Sequence, residues 1–293
     1  MYLLLSFLVV DAVRLINLVF PFMENGMLVF RFGTFVLTVV GISIALVIGN
    51  YRFNHPQVVK LNISSAKPKQ NKHVRIVAVS DVHLGFSIDK ARLQSYVKLI
   101  NDQHPDLVLM AGDISDRPVY PIVRQNMKEE LRSIKTKLGV YAINGNHEYL
   151  AETPLALSPY LEEAGIKVLR DNVVMVDGSF YIAGRDDRMN PNRKTVHDLV
   201  SGLDSKLPII MMDHQPYHLE EAAKNGVDLQ LSGHTHNGQF FPGNLIVKRM
   251  YELGYGYLKK GNTHYYVSSG LGIWGPQYRI GTQSEIVVIE LDY

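Results

Sequence analysis

The sequence contains no cysteine. That excludes a disulfide framework and every thiolate metal site, so any metal bound here must sit on His, Asp, Glu or Asn side chains. A large excess of one charge is also missing. The net charge of +2 over 293 residues leaves none of the basic footprint that nucleic acid demands. No charged residue occurs from Phe32 to Gly49, and no acid from Tyr51 to Lys72. Internal repeats and low-complexity tracts are absent. The length admits one large domain or two smaller ones.

The apolar residues are concentrated before residue 50. Met1 to Phe20 is almost wholly apolar, interrupted by Asp11, Arg14 and Asn17, and Phe32 to Gly49 is entered through Arg31. Each run approaches the ~20 residues that a membrane-spanning helix needs. The intervening Pro21-Phe-Met-Glu-Asn-Gly26, with Glu24 its one charge, reads as a short turn. Residues 1–50 are therefore expected to form a transmembrane helical hairpin. Asp11 and Arg14, three apart, share a helix face and can pair. Gly41, Ala45 and Gly49 form a small-residue stripe suited to helix–helix association. A cleaved signal peptide does not fit, since the start is not basic and no small-residue cleavage site follows. The chain opens directly in apolar sequence, as it would if further spans preceded it. Residues 51–72 read as a polar, basic linker carrying Arg52, Lys60, Lys67, Lys69 and Lys72. By the positive-inside rule this puts the remaining 73–293 on the cytoplasmic side of an integral, multi-pass membrane protein.

After the linker one pattern recurs. Val74 to Val79 is a β-branched apolar run, expected to be a buried strand, and it ends in Asp81-Val-His83. A helix over Ile88–Gln103 precedes a strand at Asp106–Ala111, which ends in Gly112-Asp113. A long helical stretch, Tyr120–Lys137, leads to a strand at Gly139–Ile143 and then Asn144-Gly-Asn-His-Glu148. A helix near Ser158–Ala164 is followed by a short strand at Lys167–Leu169. A hairpin turns at Asp177-Gly178 between Val173–Val176 and Phe180–Ala183. A helix is expected at Val196–Gly202. The strand Leu207–Met212 ends in Asp213-His214, and a helix at Tyr217–Lys224 precedes Asp228–Leu231, which ends in Ser232-Gly-His-Thr-His236. Tail strands near Tyr255–Leu258, Tyr265–Ser268 and Glu285–Leu291 look like a second, more antiparallel sheet. Strands alternating with helices argue for an α/β fold with a largely parallel sheet, and ligands of such sheets bind beyond the carboxyl ends of the strands.

Five strands thus end in metal-capable groups. With His147 set aside these are Asp81, His83, Asp113, Asn146, His214, His234 and His236. Seven exceed a mononuclear catalytic site, which keeps about three protein ligands and an open position. They suit two cations ~3.5–4 Å apart that share a carboxylate. Asp113, central in chain order and preceded by a flexible Gly112, is the expected bridge.

Asp-x-His, Gly-Asp-x-x-Asp-Arg, Gly-Asn-His-Glu, a lone His after a strand and Gly-His-x-His resemble, in order and spacing, the calcineurin-like metallophosphoesterases over about residues 73 to 291. The tail Ser269-Gly-Leu-Gly-Ile-Trp-Gly-Pro-Gln-Tyr-Arg279 resembles the membrane-linked bacterial branch. The resemblance implies a four-layer α/β/β/α sandwich with two mixed sheets. It also implies two divalent metal ions (Mn, Fe or Zn), one held by Asp81, His83, Asp113 and His236, the other by Asp113, Asn146, His214 and His234. His147 would protonate the leaving oxygen, Asp116 would orient His147, and Arg117 would grip a phosphate oxygen. Pro118 stands where the protein-phosphatase branch has glycine, and Asn237 where the membrane-linked branch usually has glycine. Asp186, Asp187 and Arg279 fit turn or loop roles, although Arg279 could equally face a phosphate. Trp274 is expected to cap the core rather than touch an acyl chain.

The function implied is a membrane-anchored phosphoesterase. It would hydrolyse phosphodiester or phosphomonoester bonds through metal-activated hydroxide, with phosphodiesters or lipid-linked phosphates favoured over phosphoproteins as substrate. An anchored nucleotide pyrophosphatase is the enzymatic alternative. The non-enzymatic one is a metal-stabilised module that binds a phosphorylated partner, and His147, which no metal needs, argues against it.

Overall fold

A computed structural model describes residues 1–21 and 26–293. The turn expected to carry Glu24 lies outside these residues. Helix α1 spans Tyr2–Val19 and α2 spans Met27–Asn54. Both are long and apolar enough to cross a bilayer. Arg14 Nη1 meets Asp11 Oδ1 at 3.0 Å on one face of α1, as their spacing requires.

The small-residue stripe on α2 divides between two uses. Gly41 and Ala45 line a groove against Tyr2, Leu5 and Val9 of α1. Gly49 packs on the globular domain instead. A Cβ there would come within 2.8 Å of Ile280 Cγ1, and the Gly49 carbonyl accepts from the Arg279 backbone N–H at 2.9 Å. The stripe of three is therefore not one helix–helix surface. The reason is that α2 outruns the apolar segment and lays its last turns on the domain. Phe53 is buried there in the core, with the Arg92 guanidinium 4.8 Å above its ring.

The basic stretch after α2 is not simply a linker. Gln57–Ser64 forms strand β1, paired in parallel with a strand 228 residues away. Its sequence alternates, with Val59, Leu61 and Ile63 turned inward and Lys60, Asn62 and Ser64 outward. One lysine and one asparagine on the wet face made a half-buried strand look like polar connection. The domain accordingly begins near Gln57 rather than at 73.

The first sheet adds β2 (His73–Val79), β3 (Leu107–Ala111), β4 (Val140–Ile143), β5 (Ile166–Val168) and β12 (Glu285–Asp292), in the order β1-β12-β2-β3-β4-β5. The second contains β6 (Asn172–Val176), β7 (Phe180–Gly184), β8 (Ile209–Met212), β9 (Leu229–Ser232), β10 (Gly256–Lys260) and β11 (Thr263–Val267), in the order β10-β11-β9-β8-β7-β6. Both are mixed. The tail strands do not form a sheet of their own: β10 and β11 extend the second, and β12 inserts antiparallel beside β2 in the first. The β6–β7 hairpin turns where expected, with Asp177 and Gly178 both at positive φ.

Helices α3 (Lys90–Asn101), α5 (Lys128–Arg132) and α7 (Leu157–Glu163) cover one face of the first sheet, and α8 (Val196–Val200) and α9 (Leu219–Lys224) cover the second. Between the sheets lies a third apolar layer that includes Ile76, Leu109, Ile182, Met212 and Ile289. This is the four-layer α/β/β/α sandwich. The expected helix over Tyr120–Lys137 is two short ones, α4 (Tyr120–Arg124) and α5, separated where Asn126 takes φ 48°.

Replacing Ile63 by Ala removes a side chain buried between the sheets. It should destabilise the domain by about 2–5 kcal/mol, read as a lowered denaturation midpoint. A linker residue would tolerate the change without measurable loss.

Candidate metal centre

β2, β3 and β4 run parallel, as do β8 and β9, so each set delivers its carboxyl ends to one edge. Asp81 and His83 follow β2, Asp113 follows β3, and Asn146 opens the short helix α6 (Asn146–Leu150) after β4. His214 follows β8, and His234 and His236 follow β9. The two sheets meet at this edge. The His234 backbone N–H donates to Asp81 Oδ1 at 3.0 Å, and His214 Nδ1 lies 2.7 Å from the Ala111 carbonyl.

The backbone turns sharply to aim these groups inward. Asp81, His83, Asp113, His234 and His236 all have φ between 49° and 71°. Non-glycine residues take that region at a cost, about 1–3 kcal/mol each, and keep it where surrounding structure imposes it. Two glycines permit the crowding. Gly112, at φ 88°, leaves space for the His214 ring, which a Cβ would approach within 2.6 Å; a Cβ at Gly233 would lie 2.2 Å from Asp81 Oδ2.

The ligand atoms of Asp81, His83 and His236 lie within 4.8 Å of one another, and so do those of Asp113, His214 and His234. Asp113 Oδ2 joins the two groups, 3.2 Å from His214 Nε2 and 3.9 Å from His83 Nε2. Asn146 Oδ1 completes the second group, 2.8 Å from His234 Nδ1. All seven residues are thus brought together.

The donor set fits divalent cations. His214 presents its buried Nε2 to Asp113 Oδ2, its Nδ1 being tied to the Ala111 carbonyl. The His83 and His236 Nε2 atoms face each other at 3.0 Å. Burial drives His83 and His234 down to about 4 and His236 well below the ordinary histidine value, so these rings keep neutral, metal-ready lone pairs. Burial raises Asp81 to about 6. Burial also opposes ionised Asp113, but His214, His83 and His147 outweigh it and hold the carboxyl below its usual range. For His214 the burial penalty is outweighed by Asp113, which lifts the imidazole well above its usual value. His214 would give up that proton on ligating a cation, which would replace the positive charge beside Asp113.

His147 stands beside this set. Its backbone N–H donates to Asp113 Oδ1 at 2.8 Å, its Nδ1 bonds the Asp116 carbonyl, and that nitrogen is 3.5 Å from Asp116 Oδ1. Burial lowers its pKa, but the hydrogen bond to Asp116 and the Asp113 charge outweigh this and raise it. Arg117 is exposed and lines a side cavity with Tyr120 and Glu152; among the described residues no ion pair holds it.

One positioning residue escaped the sequence reading. Glu148, buried, accepts from the backbone N–H groups of Asp113, Ser115 and Gly145 and from the Ser115 hydroxyl. It pins the Asp113 loop to the Asn146 loop. Its place three residues after Gly145, at the start of a helix, was the available signal.

Asp186 and Asp187 are structural as expected. Asp186 accepts from Tyr149 and Arg170, and Asp187 from Gln215. Arg279 is fully buried and donates to the carbonyls of Gly270 and Gly272, so it holds the tail loop. Trp274 does not cap the core: it is 48% exposed, because its loop lies on the surface with only its carbonyl tied, to Gln239. Asn237 takes φ 49°, a conformation that asparagine shares with glycine.

A family model for the calcineurin-like phosphoesterases matches residues 74–238. A zebrafish (Danio rerio) transmembrane protein with metallophosphoesterase domain is 31% identical over 279 residues, covering 88% of this chain and 63% of that protein. A metallophosphoesterase of Helicobacter pylori strain J99 is 31% identical over 228 residues, covering 76% of this chain and 61% of its own length. One from Aquifex aeolicus is 30% identical over 242 residues, covering 80% and 91% respectively. The chain therefore spans less than two thirds of the length of the first two.

Asp113→Asn should lower the metal content of the purified chain by one cation, measured by elemental analysis; unchanged content would refute the bridge. Glu148→Gln turns an amide donor toward backbone donors. It should weaken metal affinity by about 10–100-fold in a competition titration with a chelator, while leaving the folded signal intact.

Proposed function

We propose, for a chain that belongs to the calcineurin-like phosphoesterases, a membrane-anchored, metal-dependent phosphoesterase that uses two divalent cations. The observation that carries this reading is Asp113 Oδ2, within 4 Å of a histidine from each ligand group. A single carboxylate in that position is what a dinuclear centre needs. Asp81, His83, Asp113 and His236 would hold one cation, and Asp113, Asn146, His214 and His234 the other. Bound there, the cations supply Lewis acidity and a water that ionises near neutral pH.

The chain's own residues do the rest. Asn146 is a neutral ligand and limits negative charge where an anionic ester must enter. His147 gives a proton to the leaving oxygen, its ring oriented by the Asp116 carbonyl and carboxylate. Glu148 keeps Asp113 and Asn146 in register. Arg117, exposed next to Asp116 in the chain, takes a phosphate oxygen. The substrate is a phosphomonoester or phosphodiester, and the two apolar helices favour a lipid-linked one by holding the centre at the membrane. The basic residues from Arg52 to Lys72 favour the cytoplasmic side.

The full chain in detergent should hydrolyse chromogenic phosphate esters when supplied with manganese, zinc or iron(II), and lose turnover on chelation. No turnover with any of them would overturn the enzymatic reading. His147→Ala should leave esters with good leaving groups nearly unaffected and slow those with poor ones by about 10²–10⁴-fold. Equal slowing of both would refute the acid role.

A further inference from the structure

Helix α10, Gly243–Met250, buries none of its residues. Its sequence, Gly-Asn-Leu-Ile-Val-Lys-Arg-Met, turns Val247 toward Gly254 and leaves Leu245, Ile246 and Met250 56–63% exposed, together with Lys248 and Arg249. This is no frayed end. Gly238 and Gly243 touch backbone to backbone, and Thr235 Oγ1 donates to the Gly254 carbonyl at 2.6 Å. The helix is braced from both sides with its apolar and basic face outward.

What covers that face follows from its neighbours. The Phe241 N–H donates to the Ile280 carbonyl at 2.6 Å, and Ile280 is the residue on which Gly49 of α2 packs. Asn50 Nδ2 is 3.2 Å from the Gln277 carbonyl, and Gln277 reaches the Ser87 carbonyl. The last residues of the apolar helix and the start of α10 thus sit on the same short strip of the tail loop. Two more large apolar side chains border that strip, Phe86 at 75% exposure and Trp274 at 48%. Tyr51 and Arg52, residue types of the membrane interface, follow Asn50 directly. An exposed apolar cluster of this kind on a soluble surface marks a contact site. Here it lies level with the end of a bilayer-spanning segment, and Lys248 and Arg249 suit anionic head groups.

We infer that α10, with Phe241, Trp274 and Phe86, is a second, interfacial contact with the same bilayer that α2 crosses. Its apolar side chains enter the head-group region, and Lys248 and Arg249 meet anionic lipid. The turn that carries His236 leads through residues 239–242 into this helix. The contact therefore holds the metal centre's rim against the lipid surface, so that phosphate esters reach it from the head-group layer. This inference rests on the membrane anchoring proposed above and specifies how the domain meets the membrane.

The absence of cysteine makes the test direct. Single variants Ile246→Cys, Met250→Cys, Val39→Cys and Lys135→Cys of the full chain are labelled with a fluorophore. They are then reconstituted in vesicles of phosphatidylcholine and phosphatidylglycerol. Val39 lies within α2, and Lys135 lies before β4, at the opposite end of the sheet from the metal centre. A nitroxide carried shallowly on the lipid should quench 246 and 250 by more than half and leave 135 bright, and one carried deep on the acyl chain should quench 39. Two results with Val39 quenched would overturn the inference alone: labels at 246 and 250 quenched only by aqueous iodide, or shielded from both quenchers because protein covers the face. An unquenched label at Val39 would instead bring down the anchoring itself. No turnover enters the readout, so the outcome does not depend on the phosphoesterase activity.

Discussion

The centre depends on one constraint: the carboxyl ends of two separate sheets must meet closely enough for a single carboxylate to serve both. Asp113 leaves the first sheet, and its Oδ2 reaches both His83 on that sheet and His214 on the second. Each strand end alone is an ordinary polar cap. Packed face to face over Ile76, Leu109, Ile182 and Met212, the sheets hold imidazoles and carboxylates nearer than those groups would approach in water. The strained φ values of five ligand residues record the same fact. The apolar layer between the sheets stabilises a constellation that is electrostatically unfavourable until positive charge enters it. Metal binding there would therefore be linked to fold stability.

Glu148 shows how that constellation is made specific. A carboxylate with four donors around it needs no cation. It organises backbone, while the carboxylates a few ångströms away are left to organise metal. Burial pushes Glu148 up to about 7, with the Asp113 charge adding to it, so the two acids oppose each other's ionisation. A cation beside Asp113 would relieve both.

The candidate ligands were legible in the sequence because each follows an apolar run, and a strand's end is a local property. Asp81, His83, Asp113, His214, His234 and His236 needed only that rule. What was not legible is non-local. Sheet membership of β12 depends on which edge is free after β1 and β2 are placed, and no residue in Glu285–Asp292 encodes it. β1 was hidden because its outward face is polar and its partner lies 228 residues away. The break at Asn126 and the exposure of Trp274 reflect packing against distant segments. Gly49 looked like part of a membrane stripe because its true neighbour, Ile280, is remote in sequence.

The pairing of β1 with β12 also bears on how the protein is made. β1 follows α2 directly and is the first strand to be synthesised. Its hydrogen-bonding partner emerges only after both sheets' other strands have appeared. During that interval β1 and β2, later joined through β12, are open edges that other strands can pair with. Long-range parallel pairing of this kind closes slowly. The order of translation therefore leaves the first sheet split into two parts, and its completion is a late event that β12 alone brings about.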